Sequence, residues 1–281
     1  MSSPRADRPR AEHRITTRNA RFQQWQALQT NRNKRTRARE FLIQGVRPIS
    51  LAVEHGWTIR VLIHDAHREL STWARDLLRT VPAERVGMAS ELITELGEKD
   101  EAPELVAVVE MPDDDLRRIP VPADFLGVLF DRPTSPGNVG SVIRSADALG
   151  AHGVIVTGHA ADVYDTKSVR SSTGSLFSLP AVRVPSPGEV MAWVGAQRAQ
   201  GIPLMLVGTD EHGDSDVFDF DFTRPTLLLI GNETKGLSTA WREHCDQMVS
   251  IPMAGTASSL NAANAATVVL YEALRQRSGR S

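Results

Sequence analysis

Ser250-Ile-Pro-Met-Ala-Gly-Thr-Ala-Ser-Ser-Leu-Asn261, running into Ala262-Ala-Asn-Ala-Ala-Thr-Val-Val-Leu-Tyr-Glu272, is the stretch on which the reading of this chain turns. It begins as a strand end, is halted by Pro252, crosses a run of small and hydroxyl residues, and enters a small-residue-rich apolar helix ending near Arg275. Small residues leave main-chain N–H and C=O groups unshielded, so something else can come close, either a ligand or another piece of chain. Taken alone, the stretch also fits an ordinary strand-loop-helix joint.

Upstream, residues 125–130 form a continuous apolar run suited to a buried parallel strand. The loop Asp131-Arg-Pro-Thr-Ser-Pro-Gly-Asn-Val-Gly140 follows, then a helix through Leu149 that Gly150 ends. Strands over 154–157, 203–208, 226–230 and 248–251, with a helix over 186–200, extend the alternation into a mostly parallel sheet covered on both faces. Ligands of such sheets bind beyond the carboxyl ends of the strands, which points to the loops after Phe130, Val207, Ile230 and Ile251.

The N-terminal half alternates differently. Thr16 or Thr17 caps a helix to about Thr30, with Phe22, Trp25 and Leu28 on a stripe that reads as core, base stacking being the other use of such rings. Strands over 40–44, 59–64, 85–88 and 105–110 and short helices over 46–55, 71–80 and 90–96 predict a small α/β sandwich. Residues 111–123 carry three prolines and a charge run. The expected division is a disordered basic tail over 1–15, a substrate-binding domain over 16–110, a linker over 111–123 and a second domain over 124–281.

The 281 residues are 41% hydrophobic, enough for two cores. No apolar run approaches the roughly 18 residues that cross a bilayer, and the Arg- and Pro-rich N-terminus lacks a signal peptide's apolar core, so no membrane partner and a cytoplasmic location are expected. Cys245 is alone, which excludes an intramolecular disulfide and a cysteine zinc cage and reads as a small hydrophobe. The net charge of −2 hides an asymmetry: residues 1–47 hold 12 Lys and Arg against three acids, close to +9, and the remainder is close to −11. A basic arm on an acidic body suits a polyanion. Within Asn31-Arg-Asn-Lys-Arg-Thr-Arg-Ala-Arg39, the side chains of Arg32, Lys34, Arg35, Arg37 and Arg39 are candidate phosphate contacts.

Three loops carry chemistry-bearing residues. Asn138 stands at a helix entrance and by itself reads as a cap, whereas Arg144 among Val142, Ile143, Ala146 and Ala148 needs a partner anion. Ile230-Gly-Asn-Glu-Thr-Lys-Gly-Leu237 sets Glu233 between two glycines without matching a dinucleotide or triphosphate motif. Asp210-Glu-His-Gly-Asp-Ser-Asp216 fails the EF-hand order and reads as a solvated acidic loop. His64 and His67 read as isolated surface residues, so no metal is expected.

Asn138-x-Gly-x-x-x-Arg144, then Gly231-Asn-Glu233 with Gly236-Leu237, then Ile251-Pro-Met253 and Ser258-Ser-Leu-Asn261, resemble in order the three motifs of the SpoU (TrmH-like) branch of RNA ribose 2'-O-methyltransferases. The resemblance implies an α/β SPOUT trefoil-knot domain with a mostly parallel sheet, behind a small L30e-like α/β domain. It implies S-adenosylmethionine against the main chain of Gly231, Ile251 and Leu260, with Asn232 and Met253 beside it. Asn138 and Arg144 are then expected to face the target ribose, with Glu233, Ser259 and Asn261 arranging the site, and no metal is required. Members dimerise with sites near the interface, and Asn264 departs from the apolar or small residue that many place there. Asp131-Arg-Pro-Thr-Ser-Pro-Gly137 and Phe22-Gln-Gln-Trp-Gln-Ala-Leu28 are most similar to members that modify a uridine of 23S rRNA and confer resistance to a ribosome-targeting antibiotic. The motifs alone leave room for a tRNA ribose methyltransferase, and the fold for a non-catalytic RNA-binding or ribosome-assembly factor or a nucleotide-dependent oxidoreductase.

Overall fold

A computed structural model describes residues 13–97 and 102–279; most of the expected basic tail lies outside them. The chain divides into two compact units at Pro112/Asp113.

The first unit holds a five-stranded mixed sheet, and residues 13–15, expected as the end of the tail, belong to it: β1 (His13–Ile15) pairs in parallel with β4 (Glu84–Met88). Helix α1 (Ala20–Thr30) starts later than expected, because the side chain of Asn19, and not of Thr16 or Thr17, accepts the Phe22 N–H at 3.0 Å. Phe22, Trp25 and Leu28 are buried in the core, which settles the aromatic stripe as packing. Asn31 ends α1 and caps a second helix, α2 (Arg32–Ala38), so the basic run is helical. Then follow β2 (Glu40–Gln44), α3 (Val46–Glu54), β3 (Ile59–Asp65), α4 (Thr72–Thr80), β4, α5 (Ser90–Gly97) and β5 (Leu105–Glu110), with sheet order β1-β4-β3-β5-β2. His64 faces inward from β3 and is buried, contrary to the surface reading, whereas His67 is exposed.

The second unit absorbs the proline-rich segment. Leu116 and Ile119 are buried in its core, and Asp114 pairs with Arg183 at 2.7 Å, so residues 113–123 are packed structure and not a free linker. Its strands are β6 (Leu126–Asp131), β7 (Val154–Thr157), β8 (Ala181–Val184), β9 (Met205–Thr209), β10 (Ser215–Asp216), β11 (Thr226–Ile230) and β12 (Gln247–Ser250). Every pairing among them is parallel. The helices are α6 (Pro136–Ala148), α7 (Thr166–Ser172), α8 (Ser175–Ser178), α9 (Pro187–Ala199), α10 (Thr239–His244) and α11 (Ala262–Ser278). Parallel strands need crossover connections, and these helices supply them except between β9 and β11, where residues 210–225 cross without a helix.

The order β10-β12-β9-β11-β6-β7-β8 positions the site. The chain builds outward from β6 through β7 to β8, returns to the other side of β6 for β9, and inserts β11 between the two. That makes β12, β9, β11 and β6 consecutive neighbours, so the four loops expected to bind ligand leave one edge of the sheet side by side. Helix α6 is held tightly against α7: a Cβ on Gly140 would come within 2.2 Å of the Ser168 carbonyl oxygen, so this position admits only glycine.

Candidate active site

Helix α6 begins with Ser135 as its cap and Pro136 in the first turn, a sequence made for a helix start. Its N-terminal face meets Glu233 from the loop after β11. One Glu233 oxygen accepts the Thr134 N–H at 3.0 Å and the Thr134 hydroxyl at 2.9 Å; the other accepts the Ser135 N–H at 3.1 Å and Asn138 Nδ2 at 3.0 Å. Burial opposes charge on this carboxylate, but the bonds from Thr134, Asn138 and Ser135 outweigh it and hold Glu233 below the usual carboxylate range. A carboxylate so held is an anchor and a poor proton acceptor. It also fixes the Asn138 amide, because an ionised carboxylate can only accept. With Nδ2 committed, Asn138 Oδ1 turns to Asn261 and accepts its Nδ2 at 3.2 Å. Asn261 in turn caps α11 by accepting the Ala263 N–H at 2.9 Å. The relay Glu233–Asn138–Asn261 thus ties together three segments far apart in sequence.

The loop that carries Glu233 is closed on itself. Asn232 and Gly236 exchange both backbone hydrogen bonds at 3.0 Å, and Asn232 Oδ1 accepts the Thr234 and Lys235 N–H groups at 3.0 Å each. Asn232 Nδ2 donates to the Arg132 carbonyl at 2.7 Å. Asn232, expected beside the cofactor, therefore spends its side chain shaping the loop. Gly231 is buried, and a Cβ there would meet the Gly236 carbonyl carbon at 2.3 Å.

The stretch after β12 is the opposite. Ile251 is half-buried, and residues 252–261 are exposed throughout. Among the described residues no hydrogen bond reaches 253–260, Ser259 included. Met253 and Leu260 expose large apolar surfaces, 38% and 36% of their areas. Open main-chain donors and acceptors beside apolar side chains suit a ligand that carries both a polar-edged ring and apolar atoms. Arg144 is exposed on α6 and its side chain makes, among the described residues, no ion pair or hydrogen bond, so the anion it needs is not supplied from within. Next to it Ser145 Oγ lies 2.7 Å from Thr267 Oγ1, pinning α6 to α11.

In the first unit Arg32, Lys34, Arg37 and Arg39 are exposed on α2 and its end. Arg35 is not. It is 1% exposed and its Nη1 donates to the Leu28 and Gln29 carbonyls at 2.7 and 3.0 Å, closing the end of α1. Arg35 is a structural residue of the α1–α2 corner and not a phosphate contact. Spacing could not show this, since the periodicity of a short basic helix does not say which face is covered. Among the described residues no group of three His, Cys, Asp or Glu could hold a metal ion, and the acidic loop's Asp210 is paired with Arg242. The Cys245 thiol is pushed up to about 11, by burial first and then by Asp246, so it carries no thiolate at neutral pH.

Residues 19–107 match the SpoU L30e-like domain, and residues 126–271 match the SpoU rRNA methylase family. The chain belongs to the SpoU rRNA methylase family. It is 77% identical over 283 residues to the 23S rRNA (uridine(2479)-2'-O)-methyltransferase of Streptomyces viridochromogenes, covering 100% of this chain and 99% of that one. The crystal structure of the SpoU methyltransferase AviRb from S. viridochromogenes in complex with AdoMet superposes with a TM-score of 0.90 at 79% identity, over 92% of this chain and 98% of that one. An AdoMet-bound rRNA methyltransferase from Sinorhizobium meliloti superposes with a TM-score of 0.83 at 29% identity, over 94% and 98%. The fold class follows: a SPOUT α/β domain with a parallel sheet behind an L30e-like domain.

Sequence reasoning missed Thr134 and Ser135, the residues that receive Glu233. Ser135-Pro136 is a recognisable helix entrance, so the anion-binding end of α6 was open to detection, but its partner lies 98 positions away.

Proposed function

We propose that this chain transfers the methyl group of S-adenosylmethionine to the ribose 2'-oxygen of a uridine in 23S rRNA. The observation that carries the reading is the Glu233–Asn138–Asn261 relay, set where the loops of β6, β11 and β12 emerge together, with the unpartnered Arg144 on the same helix as Asn138.

The residues present fit the cofactor. The main chain of Gly231, Ile251 and Leu260, with Met253, would hold it, and the open stretch 252–260 offers both polar edges and apolar surface. When bound it supplies an electrophilic methyl on a sulfonium. The chain's own task is to orient and charge-stabilise the ribose hydroxyl. Asn138 and Asn261 present fixed amide groups to the ribose, Ser259 adds a hydroxyl, and Glu233 keeps Asn138 from rotating. Arg144 holds the adjacent phosphate with its fork and stabilises negative charge developing on the 2'-oxygen, while the proton leaves to solvent. The forming bond is oxygen to methyl carbon, the breaking bond is carbon to sulfur, and the bonding pair leaves on sulfur.

Arg32, Lys34, Arg37 and Arg39 bind rRNA phosphates. The groove lined by Leu149, Asn264, Thr267, Val268 and Tyr271, with Tyr271 61% exposed, receives the same face of a second copy, making a homodimer. Modification protects the ribosome in the cytoplasm against an antibiotic, a reading supported by the likeness along 131–137 and 22–28.

The test is incubation with methyl-labelled S-adenosylmethionine and 23S rRNA, followed by mapping. Label on one uridine ribose is expected; label only on tRNA, only on a base, or nowhere sinks the proposal. For the RNA arm, Lys34→Ala should lower the salt slope of rRNA binding by about one, whereas Arg35→Ala should lower the melting temperature and leave the slope alone.

A further inference from the structure

The loop bearing Glu233 is fastened at its base by two residues with no place in the site so far. Asp131, at the end of β6, is buried, and its carboxylate accepts the Ser238 N–H at 2.8 Å. It is matched by its own neighbour: Arg132 Nε donates to the two carboxylate oxygens at 3.0 and 3.1 Å, and Nη2 donates to one of them at 3.0 Å. The same Nη2 reaches across to the Gly236 carbonyl at 3.2 Å, while the Arg132 carbonyl accepts Asn232 Nδ2 at 2.7 Å. Both ends of the loop, Asn232 and Gly236, are therefore held by one residue.

Two further features single Arg132 out. Its backbone lies in the left-handed region at φ 50°, one of three non-glycine residues so placed among those described. An arginine gains nothing locally from this conformation, and such strain persists where surrounding contacts demand it. Across from it, Gly158 makes room: a Cβ there would lie 2.6 Å from Arg132 Cγ.

We infer that Arg132 is a positioning residue for methyl transfer, which clasps the 231–238 loop so that Glu233 reaches Asn138 and the Gly231 main chain keeps its place beside the cofactor. The inference rests on the reading of that loop as cofactor- and ribose-facing. It requires arginine in particular. Neutralising Asp131 while still donating to Gly236 takes the spread of a guanidinium, and a lysine ammonium cannot span both acceptors.

The experiment compares wild type with Arg132→Ala, Arg132→Lys, Glu233→Gln and the Arg132→Ala/Glu233→Gln double variant. The readouts are the Kd for S-adenosylmethionine by calorimetry and kcat on 23S rRNA. Arg132→Ala is expected to weaken cofactor binding about tenfold and lower kcat about tenfold, the scale of one charge-assisted hydrogen bond. Arg132→Lys, which keeps a cation beside Asp131 and so preserves folding, should recover less than half of either loss. Because the two residues act through one contact, adding Arg132→Ala to Glu233→Gln should lower kcat by less than about twofold more. Wild-type Kd and kcat in Arg132→Ala, full recovery in Arg132→Lys, or a full tenfold additional loss in the double variant overturns the inference. Glu233→Gln alone tests the site reading: normal turnover there removes Glu233 from the site, while Arg132 is still judged on cofactor affinity.

Discussion

The loops after β11 and β12 both border the proposed cofactor site, yet they are built oppositely. In 231–238 the two side chains that shape the loop have partners within the protein: Asn232 bonds to Thr234, Lys235 and Arg132, with its backbone paired to Gly236, and Glu233 bonds to Thr134, Ser135 and Asn138. In 253–260 no polar group has one. The first loop's shape is set in advance and delivers a carboxylate to a fixed place. The second leaves its hydrogen-bonding capacity to whatever binds, which is how a wall can be close-fitting without being rigid. The proposed site thus combines a preorganised half, which would aim the Asn138 and Asn261 amides, with an adaptable half, which would receive the cofactor.

The same substitution at one glycine in each loop would separate the two halves most clearly. In Gly231→Ala the new Cβ meets backbone atoms of Gly236 and Leu237 at 2.3 and 2.4 Å, and backbone cannot swing aside. A loss of about 1–3 kcal/mol in unfolding free energy is expected, with cofactor affinity reduced at least about tenfold. Wild-type stability in this variant would mean the first loop is not preorganised. An effect of similar size and opposite sign is expected from the cofactor itself. At about 100 times its Kd, S-adenosylmethionine should stabilise the protein by about 2.7 kcal/mol. The new amide protection in hydrogen exchange should fall on 253–260, with 231–238 protected before and after. Protection gained equally in both loops would erase the distinction.

Acid gives a weaker handle. The folded value of Glu233 is depressed, so its stabilisation is present above the unfolded carboxylate range near 4.3 and is lost as pH falls through the folded value. Cofactor affinity should therefore show no Glu233 ionisation between about pH 5.5 and 8.5 and decline only in acid, with that decline removed by Glu233→Gln. A Glu233-dependent step near neutrality would show that it is not held as an ionised anchor. The smallest effect belongs to Gly255→Ala: no heavy atom lies within 4 Å of the added Cβ, so stability should stay within about 0.5 kcal/mol of wild type. A large loss of stability without ligand would show that the second loop is packed after all.

Much of the fold was legible. β2, β5, β7 and β11 have the expected ends, because short apolar runs bounded by Gly, Pro and polar residues leave a strand few alternatives. The misses share a cause. β1 and β8 are three or four residues long and exist because a neighbouring strand offers an open edge, which no local pattern announces. Asn19, a stronger cap than threonine, prevailed over Thr16 and Thr17 by accepting the Phe22 N–H, a choice among three neighbouring cap residues that the local pattern leaves open. Within the site, the ordered motifs brought Asn138, Arg144, Glu233 and Asn261 under suspicion together. They could not say that Glu233 is consumed in holding Asn138, or that Asn232 is consumed in holding its own loop.

What the sequence by itself determined is therefore the parallel α/β character of the second unit and which loops carry the polar residues, since these depend on composition and on spacing along the chain, while the family came from the resemblance of the ordered motifs. Only the tertiary structure decided that four of those loops are neighbours, that Arg35 turns inward while Arg144 stays open, and that Arg132 grips a loop about a hundred positions away. Those outcomes depend on strand order and on contacts between distant residues, whose free energies are realised only when the whole sheet has formed.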